Sequence, residues 1–324
     1  MSRILLTGGY GFIGSEVANQ IFPAYPSTEK LVIFDRIDYN SRPENVDQSV
    51  RTDPRFHFVK GDLCSFDLLS FVLEEYQIDL VIHIAAQTHV DQSFENSLKF
   101  TRDNVLGTHT LLEACRKYGK IKRFVHMSTD EVYGEAENEA HHEGSLLDPT
   151  NPYAASKAGA EFILRSYGYS YKFPYVIIRG NNVYGHGQFP DKIIPKFTLY
   201  LHLDRKLPIH GTGTAKRMFV HVDDMARGIL LVAKKGELGE IYNIGSRNEH
   251  TVLEIASLLC SLMKKDPKNS LEFVPDRNFN DKRYFIDYTK VSQLGWKEEI
   301  SFEEGIKETI QWYLDRADEF SKKI

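Results

Sequence analysis

The chain has 324 residues, 42% of them hydrophobic and 26% charged, with a formal net charge of −5 and a pI of about 6.2. That balance fits a globular protein of one large or two medium domains and gives no electrostatic ground for a nucleic-acid or anionic-membrane partner. Three scattered cysteines, Cys64, Cys115 and Cys260, without a C-x-x-C, argue against a disulfide framework or a cysteine-based zinc site. No apolar run nears the roughly 20 residues of a membrane span, and no leader precedes the first apolar stretch, so a cytoplasmic protein is expected.

Residues Arg3 to Thr7 predict a strand, and the glycines at 8, 11 and 14 follow it. Ile13, Val17 and Ile21 then recur at helical spacing up to Pro23, which is expected to stop the helix. Strand, glycine turn and helix make a phosphate cradle: bare backbone approaches a pyrophosphate while helix N–H groups point at it. Gly8, Gly11, Phe12, Ile13 and Gly14 are the expected contacts. The second strand, Leu31 to Phe34, ends in Asp35, placed to accept from the ribose hydroxyls and to repel a 2′-phosphate, which favours NAD over NADP. Arg36 follows and could partner a phosphate.

A third strand, Phe56 to Val59, closes on Gly61, Asp62 and Leu63. Asp62 is expected either at the adenine or as the cap of the next helix. A fourth runs from Leu80 to Ala86, where the small Ala85 and Ala86 allow a ligand close. Residues 100–118 read as a long helix, and 124–127 as a fifth strand. A sixth covers Pro174 to Ile178, after a helix that starts near Tyr153. Strands alternating with helices predict an α/β fold, a Rossmann-type doubly wound parallel sheet. Past Arg179 the alternation weakens. We therefore expect an NAD-binding domain over 1–179 and a smaller C-terminal substrate-binding domain over 180–324, with some segments returning to the first. Helices are expected at Val222 to Lys234 and Thr251 to Lys264, and basic or polar residues recur in the loops at Lys192, Arg217, Asn248, Arg277 and Arg283.

Ser128-Thr129-Asp130-Glu131-Val132-Tyr133-Gly134 follows the fifth strand, at the strand end where open α/β sheets bind ligands. Tyr153 and Lys157 are one helical turn apart and share a face. An ammonium near a phenol should lower the phenol's pKa. A hydroxyl, two carboxyls and an activated tyrosine form a proton-transfer set. The plainer readings are a helix cap at Ser128 to Asp130 and a surface ion pair at Arg217. His141-His142 lacks a third ligand at metal spacing, and a solvated loop is expected there.

These motifs resemble the extended short-chain dehydrogenase/reductase superfamily. Within it the chain is similar to the sugar-nucleotide 4,6-dehydratases, acting on dTDP-glucose or UDP-glucose. The resemblance runs through Ala85-Ala86-Gln87-Thr88-His89-Val90-Asp91, Ser128 to Gly134, Asn151-Pro152-Tyr153, Phe189-Pro190-Asp191-Lys192, Tyr242-Asn243-Ile244-Gly245 and Asn280-Asp281-Lys282-Arg283-Tyr284. Thr-Asp-Glu before Val-Tyr-Gly is its most specific part, since related epimerases and decarboxylases lack the acid pair. The resemblance implies NAD as cofactor. It makes Tyr153 the phenolate base, Lys157 its partner, Thr129 a bond to the C4 oxygen, Glu131 the base at C5 and Asp130 the acid at the C6 hydroxyl. It places Thr88 and Asn182 at the sugar or its phosphates, Lys192 and Ile193 along the substrate channel, and Pro208, Ile209 and His210 beside the base. Arg217 and Arg283 fall at the pyrophosphate, with Asn248 in the same region. The sequence departs from the family at His210, where tyrosine is frequent, and in a short loop between Gly134 and Asn151; thymine and uracil stay as alternatives. A homodimer is implied, through a helix face carrying Phe162, Leu164 and Tyr167. The competing functions are a 4-epimerase of the same fold and a non-catalytic NAD-binding scaffold.

Overall fold

The computed structural model describes residues 2–136, 138–276 and 281–324; Arg277 and Asn280 lie outside the described residues. Twelve strands are described. The first six are β1 (Ser2–Thr7), β2 (Thr28–Asp35), β3 (Phe56–Lys60), β4 (Leu80–His83), β5 (Arg123–Thr129) and β6 (Tyr175–Gly180). They are followed by β7 (Asn182–Tyr184), β8 (Leu207–His210), β9 (Lys216–His221), β10 (Ile241–Ile244), β11 (Glu249–Thr251) and β12 (Leu271–Val274). The main sheet has seven strands, in the order β10-β6-β5-β4-β1-β2-β3, and every pairing is parallel. The order reverses between β1 and β4. That reversal opens a crevice at the strands' C-terminal ends, as a doubly wound sheet requires.

Both faces are covered, so the strands are apolar almost throughout. Leu5, Val32, Val81, Phe124 and Ile177 face the helices Phe66–Glu75, Gly107–Tyr118 and Pro152–Tyr171. Ile4, Leu6, Ile33, Ile82, Val125 and Val176 face the helices Phe12–Ala24 and Val222–Lys235. Residues 180–324 do not all stand apart from this core: β10 joins the sheet beside β6, and the helix Val222–Lys235 packs on the helix Phe12–Ala24. The rest forms a second lobe around Ile194, Phe197, Ile209, Phe219, Ile255 and Ile306, with β7, β9 and β11 in one small sheet and β8 and β12 in another.

Four local expectations differ in detail. The first helix runs one residue past Pro23, to Ala24, because a proline near a helix end loses only one backbone bond. The fourth strand ends at His83, where the backbone N–H groups of Ile84 and Ala85 turn to donate to the Thr7 carbonyl at 3.3 and 3.1 Å. That turn brings Ala85 and Ala86 into the crevice. The helix expected at 100–118 is α-helical over Gly107–Tyr118 but π-helical over Thr101–Leu106. His141 is not solvated: its ring stacks on Tyr133 at 5.1 Å between centroids, and its N–H donates to the Phe285 carbonyl at 2.9 Å.

Candidate active site

A cavity of about 940 Å³ runs along the C-terminal ends of β1 to β6 and under the second lobe. At one end lies the glycine turn. Gly8 takes a φ of +71°, and a Cβ there would come 2.7 Å from the Ala85 backbone. A Cβ on Gly14 would come 2.0 Å from the Gly8 carbonyl. The backbone therefore stays bare facing the crevice, and Gly8, Gly11, Phe12, Ile13 and Gly14 all line it. This is a cradle that fits the pyrophosphate of a dinucleotide.

Asp35 lines the crevice at the end of β2, its carboxylate fixed by the Tyr10 and Ile37 N–H groups (3.0 and 2.7 Å) and the Ser41 hydroxyl (3.0 Å). Arg36 also lines it but is already matched. It donates to Asp38 at 2.8 Å, Asp103 at 2.9 Å and Asp62 at 3.3 Å, and Asp103 first, then Asp38, raises its pKa. Three acids around one guanidinium offset its charge, which weighs against a 2′-phosphate there while Arg36 still lines the crevice. Asp62 accepts from the Cys64 N–H at 2.8 Å, capping a turn ahead of the next helix. It lines the crevice, as do Leu63, Ala85 and Ala86.

The proton-transfer set lies further along the same wall. β5 ends in Thr129, and Asp130–Tyr133 forms a 3-10 turn. Asp130 is buried and accepts from Asn181 Nδ2 at 2.5 Å and from the Thr129 hydroxyl at 3.3 Å. Glu131 accepts from Asn151 Nδ2 at 3.0 Å and from the Tyr284 hydroxyl at 3.4 Å. Asn151 also accepts from the Ala154 N–H at 2.8 Å. It thereby caps the helix Pro152–Tyr171, which carries Tyr153 and Lys157. Tyr284 donates to Asp281 as well, under the Arg217 guanidinium, which stands 4.4 Å from the Tyr284 ring centre.

Burial, then the charge of Glu131, pushes the Asp130 carboxyl up to about 7. Glu131 is raised too, by burial first, against the pull of Asn151, Arg217 and Lys192. The expectation of a lowered phenol pKa at Tyr153 is not met. Burial, then Glu131, raises it, with the Thr129 hydroxyl bonded to it. Lys157 instead donates to the Met127 carbonyl at 2.7 Å, and burial lowers its pKa to about 8. Sequence spacing put the ammonium and the phenol on one face but did not register that both are desolvated.

The raised pKa of Asp130 carries a stability consequence. Its folded value lies above the unfolded value of about 3.9. The group therefore adds nothing adverse below pH 4, and stability falls as pH rises towards about 7. Asp130→Asn is expected to match wild type at pH 4 and to exceed it at pH 8 by roughly 4 kcal/mol, read from urea midpoints at the two pH values.

Of the residues expected to meet a substrate, Thr88, Asn182, Lys192, Ile193, Pro208, His210 and Arg217 line the cavity. Lys192 Nζ spans it to donate to the Thr88 carbonyl at 3.0 Å. Three others lie elsewhere. Ile209 points into the second lobe's core, because alternate residues of β8 face opposite ways. Asn248 donates to Glu298 at 2.6 Å and Arg283 to Glu249 at 2.5 Å, and neither is among the described residues that line the cavity. Asn151, Asn181, Asp281 and Tyr284 belong to the site and were given no role by sequence. All four come from loops, and only folding brings residue 284 to residue 131.

Comparison with known proteins agrees with this geometry. The family model for GDP-mannose 4,6 dehydratase matches residues 5–309. A trifunctional UDP-glucose 4,6-dehydratase/UDP-4-keto-6-deoxy-D-glucose 3,5-epimerase/UDP-4-keto-L-rhamnose-reductase of Arabidopsis thaliana is 50% identical over 98% of this chain. This chain spans only 48% of that relative's length. A dTDP-D-glucose 4,6-dehydratase of Homo sapiens is 42% identical over 97% of this chain and 90% of its own. The crystal structure of a dTDP-glucose 4,6-dehydratase from Streptomyces venezuelae with NAD and TYD bound superposes with a TM-score of 0.94, at 39% identity and 98% coverage of both chains. With the crevice, the glycine cradle and the acid pair already in place, this chain belongs to the GDP-mannose 4,6 dehydratase family, among relatives of the dTDP-glucose 4,6-dehydratases.

Proposed function

We propose that this protein dehydrates a nucleoside-diphosphate glucose, dTDP-glucose or UDP-glucose, to its 4-keto-6-deoxy form. The observation that carries the reading is that one cavity holds Tyr153 and Lys157 together with the adjacent carboxyls Asp130 and Glu131. A tyrosine and a lysine suffice for proton removal during alcohol oxidation; only an elimination also needs an acid and a base. The C5 proton of a hexose is not acidic until C4 is a ketone. Bound NAD supplies that oxidation at C4 and the later reduction at C6. Tyr153 takes the C4 hydroxyl proton, with Thr129 bonded to the same oxygen. Lys157 supplies the positive charge that this deprotonation needs, once it turns from the Met127 carbonyl. Glu131 removes the C5 proton, and Asp130 protonates the departing C6 hydroxyl. An acid poised at about 7 suits that duty at neutral pH. Arg217 holds the diphosphate by charge-assisted hydrogen bonds, while Thr88, Asn182 and Lys192 line the sugar's side of the channel.

Mass spectrometry of products from dTDP-glucose and UDP-glucose, run in parallel as initial rates, tests the reading. A 4-keto-6-deoxy product with no net reduced cofactor is expected. A galactose nucleotide as sole product would point to a 4-epimerase, and NAD binding without turnover on either sugar to a scaffold.

Among the described residues no helix is long and apolar enough to cross a membrane; together with three free cysteines, this supports the cytoplasm as the protein's place. A homodimer through the helices at 97–118 and 152–171 is part of the same proposal. Of the face expected for it, Phe162 is exposed, whereas Leu164 and Tyr167 turn into the core. Leu98, Leu106 and Tyr169 are exposed on the same two helical runs and extend the apolar face. Light scattering at micromolar concentration should give about twice the 37.2 kDa chain mass.

A further inference from the structure

Behind the cavity wall, four side chains with no part in the proposed reaction converge. His221 and Asp223 stand at the start of the helix Val222–Lys235, His186 on the loop after β7, and Glu16 on the helix Phe12–Ala24. Asp223 Oδ1 is the shared vertex, 3.6 Å from His221 Nδ1 and 3.9 Å from His186 Nδ1. It is buried and takes no hydrogen-bond donor among the described residues. One ligand atom from each of His186, His221 and Asp223 lies within 4.8 Å of the other two. A four-coordinate zinc with bonds of about 2.0–2.1 Å spaces its ligands roughly 3.3 Å apart, so closure asks for small side-chain shifts.

The outer contacts match as well. The far nitrogen of His186, Nε2, faces Glu16 Oε2 at 3.3 Å. A carboxylate there fixes the ring and leaves Nδ1 with a free lone pair, the arrangement that metal-bound imidazoles adopt. His221 Nδ1 accepts from the Asp223 N–H at 3.4 Å, a long hydrogen bond that a bound ion would replace at the same lone pair. His221 is 1% exposed and packs edge-on against Tyr184, which holds it rigid. His186 is 39% exposed, which leaves a path from solvent.

We propose that His186, His221 and Asp223, with Glu16 orienting His186, form a site for a divalent transition ion of the zinc type. Two imidazoles and one carboxylate are a donor set that zinc takes, with a fourth position left for water. The ion would pin the loop carrying His186 to the helices beneath it. Tyr184, Gln188 and Phe189 on either side of that histidine line the substrate cavity, so the site is structural and adjacent to the chemistry without touching it. No spacing rule reveals it, because its members come from three separate elements.

Equilibrium dialysis of the full chain against zinc sulfate at pH 7.5, with bound metal measured by emission, is the test. One zinc per chain is expected at micromolar concentration. Cobalt(II) in its place should give the visible absorption of a low-coordinate ion, and zinc should raise the melting temperature. His186→Gln, at the most exposed position, should fold normally by circular dichroism, bind at least roughly tenfold more weakly and lose the melting shift. Glu16→Gln keeps all three ligands and should weaken binding by roughly 10–100-fold. No uptake by wild type, or equal uptake by wild type and His186→Gln, would overturn the site. Unchanged affinity in Glu16→Gln would overturn the part given to Glu16.

Discussion

Glu131→Gln is expected to lower turnover by roughly 10²–10⁴-fold, the usual worth of a positioned general base, while leaving the first oxidation intact. The substitution is close to isosteric. A glutamine carbonyl can still accept from Asn151 Nδ2 and from the Tyr284 hydroxyl, the two donors that hold the Glu131 carboxylate. What disappears is the basic oxygen that takes the C5 proton. Mixed with substrate, the variant should build up reduced cofactor, visible in the near-ultraviolet, and release almost no 4-keto-6-deoxy product. Asp130→Asn should also fail at elimination, since an amide cannot deliver the proton. Tyr153→Phe should fail earlier and form no reduced cofactor. Normal product formation by Glu131→Gln would remove that residue from the mechanism.

Glu161→Gln should cost about 3–5 kcal/mol of stability, although it lies outside the cavity. Glu161 and Arg179 are 0% and 1% exposed, and the guanidinium donates to the carboxylate at 2.6 Å through Nη2 and 3.1 Å through Nε. Without the carboxylate, a buried cation is left over the Tyr133 ring, with the Tyr133 hydroxyl and the Glu143 carbonyl, the latter at 3.3 Å, as its remaining uncharged hydrogen-bond acceptors among the described residues. A urea midpoint reads the loss. Glu161→Gln with Arg179→Met should recover much of it, because removing both charges also removes the desolvation cost. Glu161 lies one helical turn beyond Lys157 and supports its ammonium form against burial. Taking that negative charge away lowers the Lys157 pKa further. If the ammonium is the active form, the alkaline limb of the pH–rate profile should move to lower pH.

The sequence displayed whatever is periodic or local. Alternating apolar runs and helical spacings marked the strands that flank the crevice, and the glycine turn and Tyr153–Lys157 were legible because each is complete within a few residues. β10 was not legible as a sheet strand: Ile241 to Ile244 is too short to carry a period, and only its docking beside β6 defines it. The π-helical stretch at 101–106 escaped for a related reason, since an i→i+5 turn leaves no mark in composition. Asn181 and Tyr284 were missed because their partners lie 51 and 153 positions away. The direction of the Tyr153 shift was misjudged because spacing reports neighbours along a helix, whereas desolvation is set by the whole fold.

Asn151 has a consequence for how such a protein can change its preferences. One side chain both caps the helix bearing the phenol and grips the base. The reacting half of the crevice is thus a single mechanical part, and a shift of either group would drag the other. On the opposite bank, Pro208 and His210 hang from a short strand of the second lobe, outside the Asn151 linkage. A new nucleobase could be accommodated there by small edits while the elimination machinery stays in register.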